Sequence, residues 1–443
     1  MAQSIYYELL EKVFPRISDL EEKVNGGRKP LDYLYKKMLT DTFSPDQKWE
    51  TGDVDTRYVA ADVVAMDSPL PIKKRDAIST YSGKLPKIGM LKYLKETDLN
   101  AINIMKAQYQ GIANVDERNN MWARIVKKLT EDSVKCSVGL DERNEYNFLY
   151  ALSRGYVLVE DEENTGVGIR VDFGYKADNT FGVAVAGTID RNAIENVLAA
   201  ADAKGDTITT IAISLATYKK MKATTWAREL VASKRGQIYT DPSTLPVPVA
   251  SDFDEAFADE FGGIKFLKID RSVQIEKDGK PKGVKPFSNT NLIFLTTDIV
   301  GKFVWGELAE KTNPVEGVLY NTIDKYKLIS KYSETNPLKE FTHGQALALP
   351  VIENVDQIYV LDTTVGPTDT QVKEGDAIFT YNGKNYIKAD VISGVKTVAG
   401  IELSNSISDA DLHAVLNLLS VGKRNQILSG LDEQSDSASG SGS

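Results

Sequence analysis

The sequence predicts an α+β chain built around one very long helix, with a separate block in which helices alternate with strands. Three observations carry that reading. Residues 114 to 153 hold a helical apolar period without a break signal strong enough to end it. Residues 181 to 335 alternate helical and strand patterns, and residues 52 to 95 and 337 to 362 read as extended. The 443 residues leave room for two or three domains and a sizeable core.

The first 40 residues carry Ile5, Leu9, Leu10, Val13 and Ile17 at helical spacing, interrupted by Asn25-Gly26-Gly27. Pro30 is placed to open a second short helix ending near Thr40. From residue 52 the pattern changes to alternation through Val59, Ala61, Val63 and Ala65, with a turn at Tyr81-Ser82-Gly83-Lys84. This is a long two-stranded excursion. Between Leu70 and Lys95 it carries Lys73, Lys74, Arg75, Lys84, Lys87, Lys92 and Lys95 against a single acid, Asp76. A solvated loop, contact with an acidic surface of another chain, and contact with nucleic acid all fit such a run. Two-stranded arms are marginal alone and need something to lie on, which favours the second.

Asn114, with Glu117 three residues on, has the pattern of a capping box. Trp122, Ile125, Val126, Leu129, Val134 and Val138 then follow on one face, Gly139 is a candidate kink, and Gly155 sits where a C-terminal cap belongs. An unbroken helix of this length would span about 60 Å. A hairpin follows, with strands at 156–159 and 169–173 around the acidic turn Glu160 to Glu163. Helices are expected at 190–203, capped by Asp190, at 215–233 and at 252–261; strands at 209–213, 264–269 and 292–297. Beyond Gly366-Pro367 a small β-rich segment, with a turn at Asn382-Gly383, precedes a helix opened by Ser408 and Asp411. Residues 364 to 443 hold six cations and ten acids, and the Ser/Gly-rich end should be disordered. The tetrapeptide DERN occurs at 116–119 and 141–144 without similar flanks, and is assigned to chance.

Lys and Arg number 53 and Asp and Glu 63, a net charge of -10, which argues against a chain that coats nucleic acid. One cysteine, Cys136, leaves no disulfide framework and no Cys-cluster zinc site. Two histidines, His343 and His413, leave little for a metal centre or a triad. Glu8 and Glu11 interrupt any signal-like stretch, and no apolar run is long enough to cross a membrane, so a soluble chain of intracellular origin is expected. Phosphate-loop, nucleophile-elbow, HExxH and EF-hand patterns are absent, and Gly166-Val167-Gly168 lacks the third glycine of a dinucleotide fingerprint. His343 and His413 read as structural, Cys136 as a small buried hydrophobe, and Asp252, Asp254 and Glu255 as a solvated helix face.

Four segments in order carry a resemblance. They are Asp55-Thr56-Arg57 with VAADVVAMDSPLP (59–71), Ala151-Leu152-Ser153-Arg154-Gly155 closing the long helix, RVDFGYKADN (170–179), and EFTHGQALALPVIENVDQIYVLD (340–362). They resemble the major capsid proteins of tailed bacteriophages, with the Hong-Kong-97-type fold and its lambda-type branch. The resemblance implies an N-terminal arm (1–50), an extended loop (51–96) and a peripheral domain with the long helix as its spine (97–180). It further implies an axial domain (181–335) and a return strand of the peripheral domain (336–363). Residues 364–433 have no counterpart and form an appended module, followed by a tail at 434–443.

By the same resemblance the protein would self-assemble as pentamers and hexamers of an icosahedral shell. That shell would enclose double-stranded DNA without binding it specifically, with no membrane involved. The protein would belong to the virion and assemble in the host cytoplasm, with a separate scaffolding protein, a portal and a decoration protein as partners. Lys73, Lys74, Arg75, Lys84 and Lys87 would make contact between subunits. No enzyme activity, cofactor, metal or catalytic residue is expected. A cellular encapsulating shell of the same fold and a soluble α/β enzyme are the alternatives. The appended module would be displayed on the shell or would stitch subunits together.

Overall fold

Forty residues, Val115–Arg154, form one continuous α-helix. Its ends follow from the local sequence. Asn114 Oδ1 accepts from the backbone N–H of Asp116 (2.9 Å) and Glu117 (3.3 Å), and both acids sit in the first turn, where the helix dipole favours them. Gly155 ends the helix at φ 79°, donating its N–H to Ala151 O at 2.7 Å. The helix continues unbroken through Gly139, where the missing side chain leaves space that Met90 Sδ fills. The structure, a computed structural model, describes residues 3–11, 13–14, 32–52, 80–159, 169–236, 241–277, 280–364, 378–381, 384–399, 401, 409–419 and 421–428.

The long helix packs on a six-stranded sheet. Its strands run in the order Leu39–Phe43, Gly301–Gly306, Lys339–Ile352, Lys327–Glu334, Leu319–Ile323, and Lys87–Leu94 also pairs with Lys339–Ile352. That 14-residue strand organises the sheet, since it takes three neighbours along its length. Leu347, Ala348, Leu349, Val351 and Ile352 of this strand share one core with Phe148, Leu149 and Leu152 of the helix. Two-sided burial explains why its second half, Ala346 to Ile352, is a continuous apolar run.

A second, five-stranded sheet has the order Thr180–Phe181, Ile358–Asp362, Asn291–Leu295, Thr210–Ser214, Lys265–Ile269. Helices Arg191–Ala203, Leu215–Lys222, Thr225–Lys234 and Ala250–Glu260 belong to this part of the chain. Their core gathers Val197, Ile211, Ile213, Phe253, Phe257, Phe294 and Tyr359. The block at 181–335 therefore divides between the sheets. Strands Gly301–Gly306, Leu319–Ile323 and Lys327–Glu334 join the sheet under the long helix, because each finds its partner in or beside Lys339–Ile352. Conversely Ile358–Asp362 enters the α/β sheet rather than returning to the helix-backed one.

Other expectations are corrected. The helix expected over 215–233 breaks at Ala223-Thr224, where Thr224 Oγ1 donates to Met221 O at 2.6 Å. In the N-terminal arm the second helix is only Leu34–Met38. The chain then turns extended at Leu39–Phe43, which pairs in parallel with residues 301–305. Helix Glu96–Gly111 escaped the sequence reading because only Leu99 and Ile102 of its face are buried. The excursion's base is two-stranded, Lys48–Gly52 against Thr80–Lys84, while residues 53–79 lie outside the described residues.

The chain separates into two compact units, Met1–Pro367 and Thr368–Ser443. Among its described residues the second holds one hairpin, Ile378–Tyr381 with Lys384–Ile387, and three helices, Lys388–Ala399, Asp409–Leu418 and Val421–Leu428, so helix outweighs strand in the described part. Val391, Ile392 and Val395 are spaced for a helix and pack with Phe379, Tyr386, Leu412, Leu416 and Ile427. The turn at 382–383 and Ser408 lie outside the described residues.

Candidate functional site

Of the five cations expected at a subunit contact, Lys73, Lys74 and Arg75 lie outside the described residues. Lys84 closes the strand Thr80–Lys84 and Lys87 opens the strand Lys87–Leu94, so both stand at the base of the excursion, exposed. The two acidic surfaces that could receive such cations differ. Residues 160–163 lie outside the described residues. On helix Ala250–Glu260 the carboxylates already face cations of their own chain. Asp252 meets Arg235, Asp254 meets Lys268, Glu255 and Asp259 share Lys234, and Glu260 meets Arg191. Such exposed pairs contribute about 0 to 1 kcal/mol each, and they leave that helix poorly suited to attract another chain.

The reactive side chains are placed for packing. Cys136 is fully buried, its Sγ 3.9 Å from Thr342 O, and burial pushes its thiol up to about 12, which suppresses the thiolate. His343 lies in the sheet opposite Ser330 and Leu91; burial pushes it below the ordinary histidine range, with Glu310 opposing. His413 packs on the rings of Phe379 and Tyr381, 4.7 and 5.2 Å between centroids. Among the described residues no group of three or more His, Cys, Asp or Glu side chains could hold a metal ion. No helix among them is long and apolar enough to cross a membrane.

What the sequence reading missed is a set of buried charges that tie the N-terminal segments to the long helix and the sheet. Asp141 is the centre of one. Its Oδ1 accepts from Tyr35 OH (2.8 Å) and Tyr326 OH (3.0 Å), and its Oδ2 accepts from Lys327 Nζ (2.9 Å). Lys327 is fully buried and also reaches Ser137 Oγ and Asp324. Burial alone would push this lysine down, but Asp141 and Asp324 together hold it above the ordinary range. One turn on, Glu145 accepts the backbone N–H groups of Leu34 and Tyr35, both at 3.1 Å, and so caps helix Leu34–Met38 from outside. Glu142 pairs with Arg271 and accepts from Tyr33 OH. The second DERN tetrapeptide is thus a working part of the structure, whereas the first is mostly exposed at the helix start.

Glu340 plays the matching role for the extreme N-terminal segment. It accepts from Ser4 Oγ and from the Ile5 N–H, while Ser333 Oγ donates to Gln3 O at 2.7 Å. Tyr6, Leu10 and Phe14 are then buried among Leu99, Ile102, Ile125 and Leu129. The signal open to the sequence was Asp141, an acid inside the apolar face of the long helix; Lys327 and Lys331 are buried too, but their strand pattern, Lys-Leu-Ile-Ser-Lys, marks no apolar face.

Three of the four segments that carry the resemblance are joined in space. Gly155 O accepts from Phe173 N at 2.9 Å, and Tyr175 OH donates to Leu152 O at 3.0 Å. Asn179, fully buried, donates through Nδ2 to Asp356 O (2.8 Å) and Ile358 O (3.2 Å). The helix ending, the strand-and-turn and the closing segment therefore form one junction.

The structure is similar to capsid proteins. A protein assigned as the capsid protein of a prophage of Escherichia coli CFT073 aligns with a TM-score of 0.46 at 12% identity, over 78% of this chain and 98% of that one. The mature capsid of bacteriophage PhiM1 aligns with a TM-score of 0.37 at 7% identity, over 75% and 88%. An encapsulin from Synechococcus elongatus PCC 7942 aligns with a TM-score of 0.32 at 10% identity, over 80% and 97%. No family model matches the sequence, and no curated protein matches it.

Proposed function

We propose that this chain is the major capsid protein of a tailed bacteriophage, assembling into an icosahedral shell that encloses double-stranded DNA. The observation that carries the reading is the junction just described. The helix ending at 151–155, the strand-and-turn at 170–179 and the closing segment at 340–362 each resemble that family's segments, and hydrogen bonds join them although the closing segment is 177 residues from Asn179 at its contact. The order of elements supports it: an arm, a two-stranded excursion, a long helix, a hairpin, an α/β sheet, and a strand that returns. In this reading the helix-backed sheet is the peripheral domain, and the five-stranded sheet with its helices is the axial domain. Net charge -10 suits a container whose polyanionic contents must leave it again. Scaffolding, portal and decoration proteins would be separate partners, and the shell protein itself would need no catalytic group.

Electron microscopy of the purified full-length protein tests the assembly. Closed, uniform particles are expected, and a chain that stays monomeric across salt and concentration would sink the proposal. Nuclease treatment of native particles then separates two shells. Protected genomic DNA supports the virion, and a protein cargo without DNA indicates a cellular compartment.

A further inference from the structure

We propose that the N-terminal segment, residues 3–14, is a latch that lifts off the rest of the chain as a unit, and that the buried carboxylate of Glu340 is its catch. Lifting it bares an apolar groove while the two sheets and their cores stay folded.

Three side chains seat the segment. Tyr6, Leu10 and Phe14, spaced four residues apart, are all buried. They share a core with Leu99 and Ile102 of helix Glu96–Gly111 and with Ile125 and Leu129 of the long helix. None of these residues belongs to the core that joins the long helix to the long strand, so this contact can open by itself. Helix Tyr7–Leu10 is 4 residues long, too short to persist in water, so the segment is helical only while it is seated.

The catch is Glu340, fully buried on the long strand. Its Oε1 accepts from Ser4 Oγ and its Oε2 from the Ile5 N–H at 3.1 Å. Among the described residues, both hydrogen bonds to this carboxylate therefore come from the segment. Ser333 Oγ to Gln3 O and Asn321 Nδ2 to Phe14 O are neutral bonds at the segment's two ends. Lys331 of the neighbouring strand faces Glu340, but its Nζ is bonded to Leu129 O at 2.6 Å, and burial pushes this lysine below its ordinary range. It is an incomplete counter-charge. Tyr6 faces Glu340 from the segment itself. Asp132 and Cys136 of the long helix act on Lys331 in turn, and Lys92 of strand Lys87–Leu94 acts on Cys136.

Seating and protonation are therefore linked. With the segment seated, burial holds the Glu340 carboxyl above its ordinary range. With the segment lifted, water reaches the group and it returns to that range. The seated state binds the proton more tightly. Seating is thus most favourable at acid pH, weakens as pH rises from the ordinary carboxylate range through the raised one, and levels off above it. One proton changes the opening equilibrium by at most about tenfold per pH unit.

Hydrogen exchange on the isolated full-length subunit tests the latch. Its reporters are the Leu9, Leu10 and Glu11 amides, which donate to Tyr6 O and Tyr7 O within the segment. After correction for intrinsic rates, their protection should lie about tenfold or more below that of residues 347–352, and should fall with rising pH. Glu340→Gln should abolish that fall. Leu10→Ala should increase opening by about tenfold or more at every pH and keep the fall. Reporter protection equal to that of 347–352 overturns the latch. A fall that survives in Glu340→Gln overturns Glu340 as the catch, and so does a wild-type chain without any fall, a result that stands even where the variant does not fold. Neither measurement involves assembly, so both failures leave the shell function standing.

Discussion

Asp141 accepts from two tyrosines and two lysines, with Lys36 Nζ the most distant at 3.4 Å, and it is nearly inaccessible to water. Removing one member of such a cluster strands the others, which costs more than the cluster contributes when whole. Asp141→Ala should destabilise the chain by about 3 to 5 kcal/mol. The pair Asp141→Leu with Lys327→Met should recover much of that loss. Urea unfolding of both checks it, and equal losses in the two would refute the account. Glu340 gives a pH test. Burial holds its carboxyl above the ordinary range, with Ser4, Ile5 and Lys331 opposing, so the folded chain binds that proton more tightly than the unfolded one. Its contribution is therefore most favourable at acid pH and declines as pH rises from the ordinary carboxylate range through the raised one. Glu340→Gln removes that decline, so the variant should gain stability relative to wild type as pH rises through this window. Parallel pH profiles of melting temperature would contradict it.

At the level of elements, legibility tracked how much of the surrounding structure an element needs. The long helix was readable end to end because its caps and its period are local: Asn114, the apolar face, Gly155. Hairpin Tyr156–Val159 with Ile169–Asp172 and helix Arg191–Ala203 were readable for the same reason. The sheet to which each strand belongs was not, since residues 301–334 and 358–362 are assigned by partners found elsewhere in the chain. The clustered charges were invisible because a lysine in a strand, such as Lys327 or Lys331, reads as solvent-facing until the helix above it is placed. Of the contact cations, the sequence supplied the candidates, and only the exposed positions of Lys84 and Lys87 could be located. The two helix caps should respond differently. Residues around Asn114 are exposed, so Asn114→Ala, worth about 1 kcal/mol, should fray the first turn and barely move global unfolding. Gly155 is buried in a left-handed conformation, and a side chain there would strike the ring of Tyr175. Gly155→Ala adds about 1 to 2 kcal/mol of backbone strain to that clash and should lower the global transition. Exchange at residues 115–120 and denaturant midpoints distinguish the two; a global loss from Asn114→Ala would show that the cap supports more than the first turn.

For the whole molecule, the question is what the second unit does. Residues Thr368–Ser443 fold around a core of their own, with Phe379, Tyr381, Val391, Val395, Leu412 and Leu416 buried together. The first unit likewise has its own cores, under the long helix and in the α/β sheet. Among the described residues those cores contain none beyond Pro367, so a chain truncated there should fold with an unchanged melting transition. A core of this size supports only about 3 to 5 kcal/mol, so the second unit alone should show a weak, low-temperature transition. Its residues from 364 onward hold six cations and ten acids, which fits a solvated outer surface better than a glue between acidic subunits. Truncation after Pro367, expressed with the native scaffold, should therefore yield closed shells of normal diameter. Subunits that fold but give only free capsomers or aggregates would show instead that the unit joins subunits.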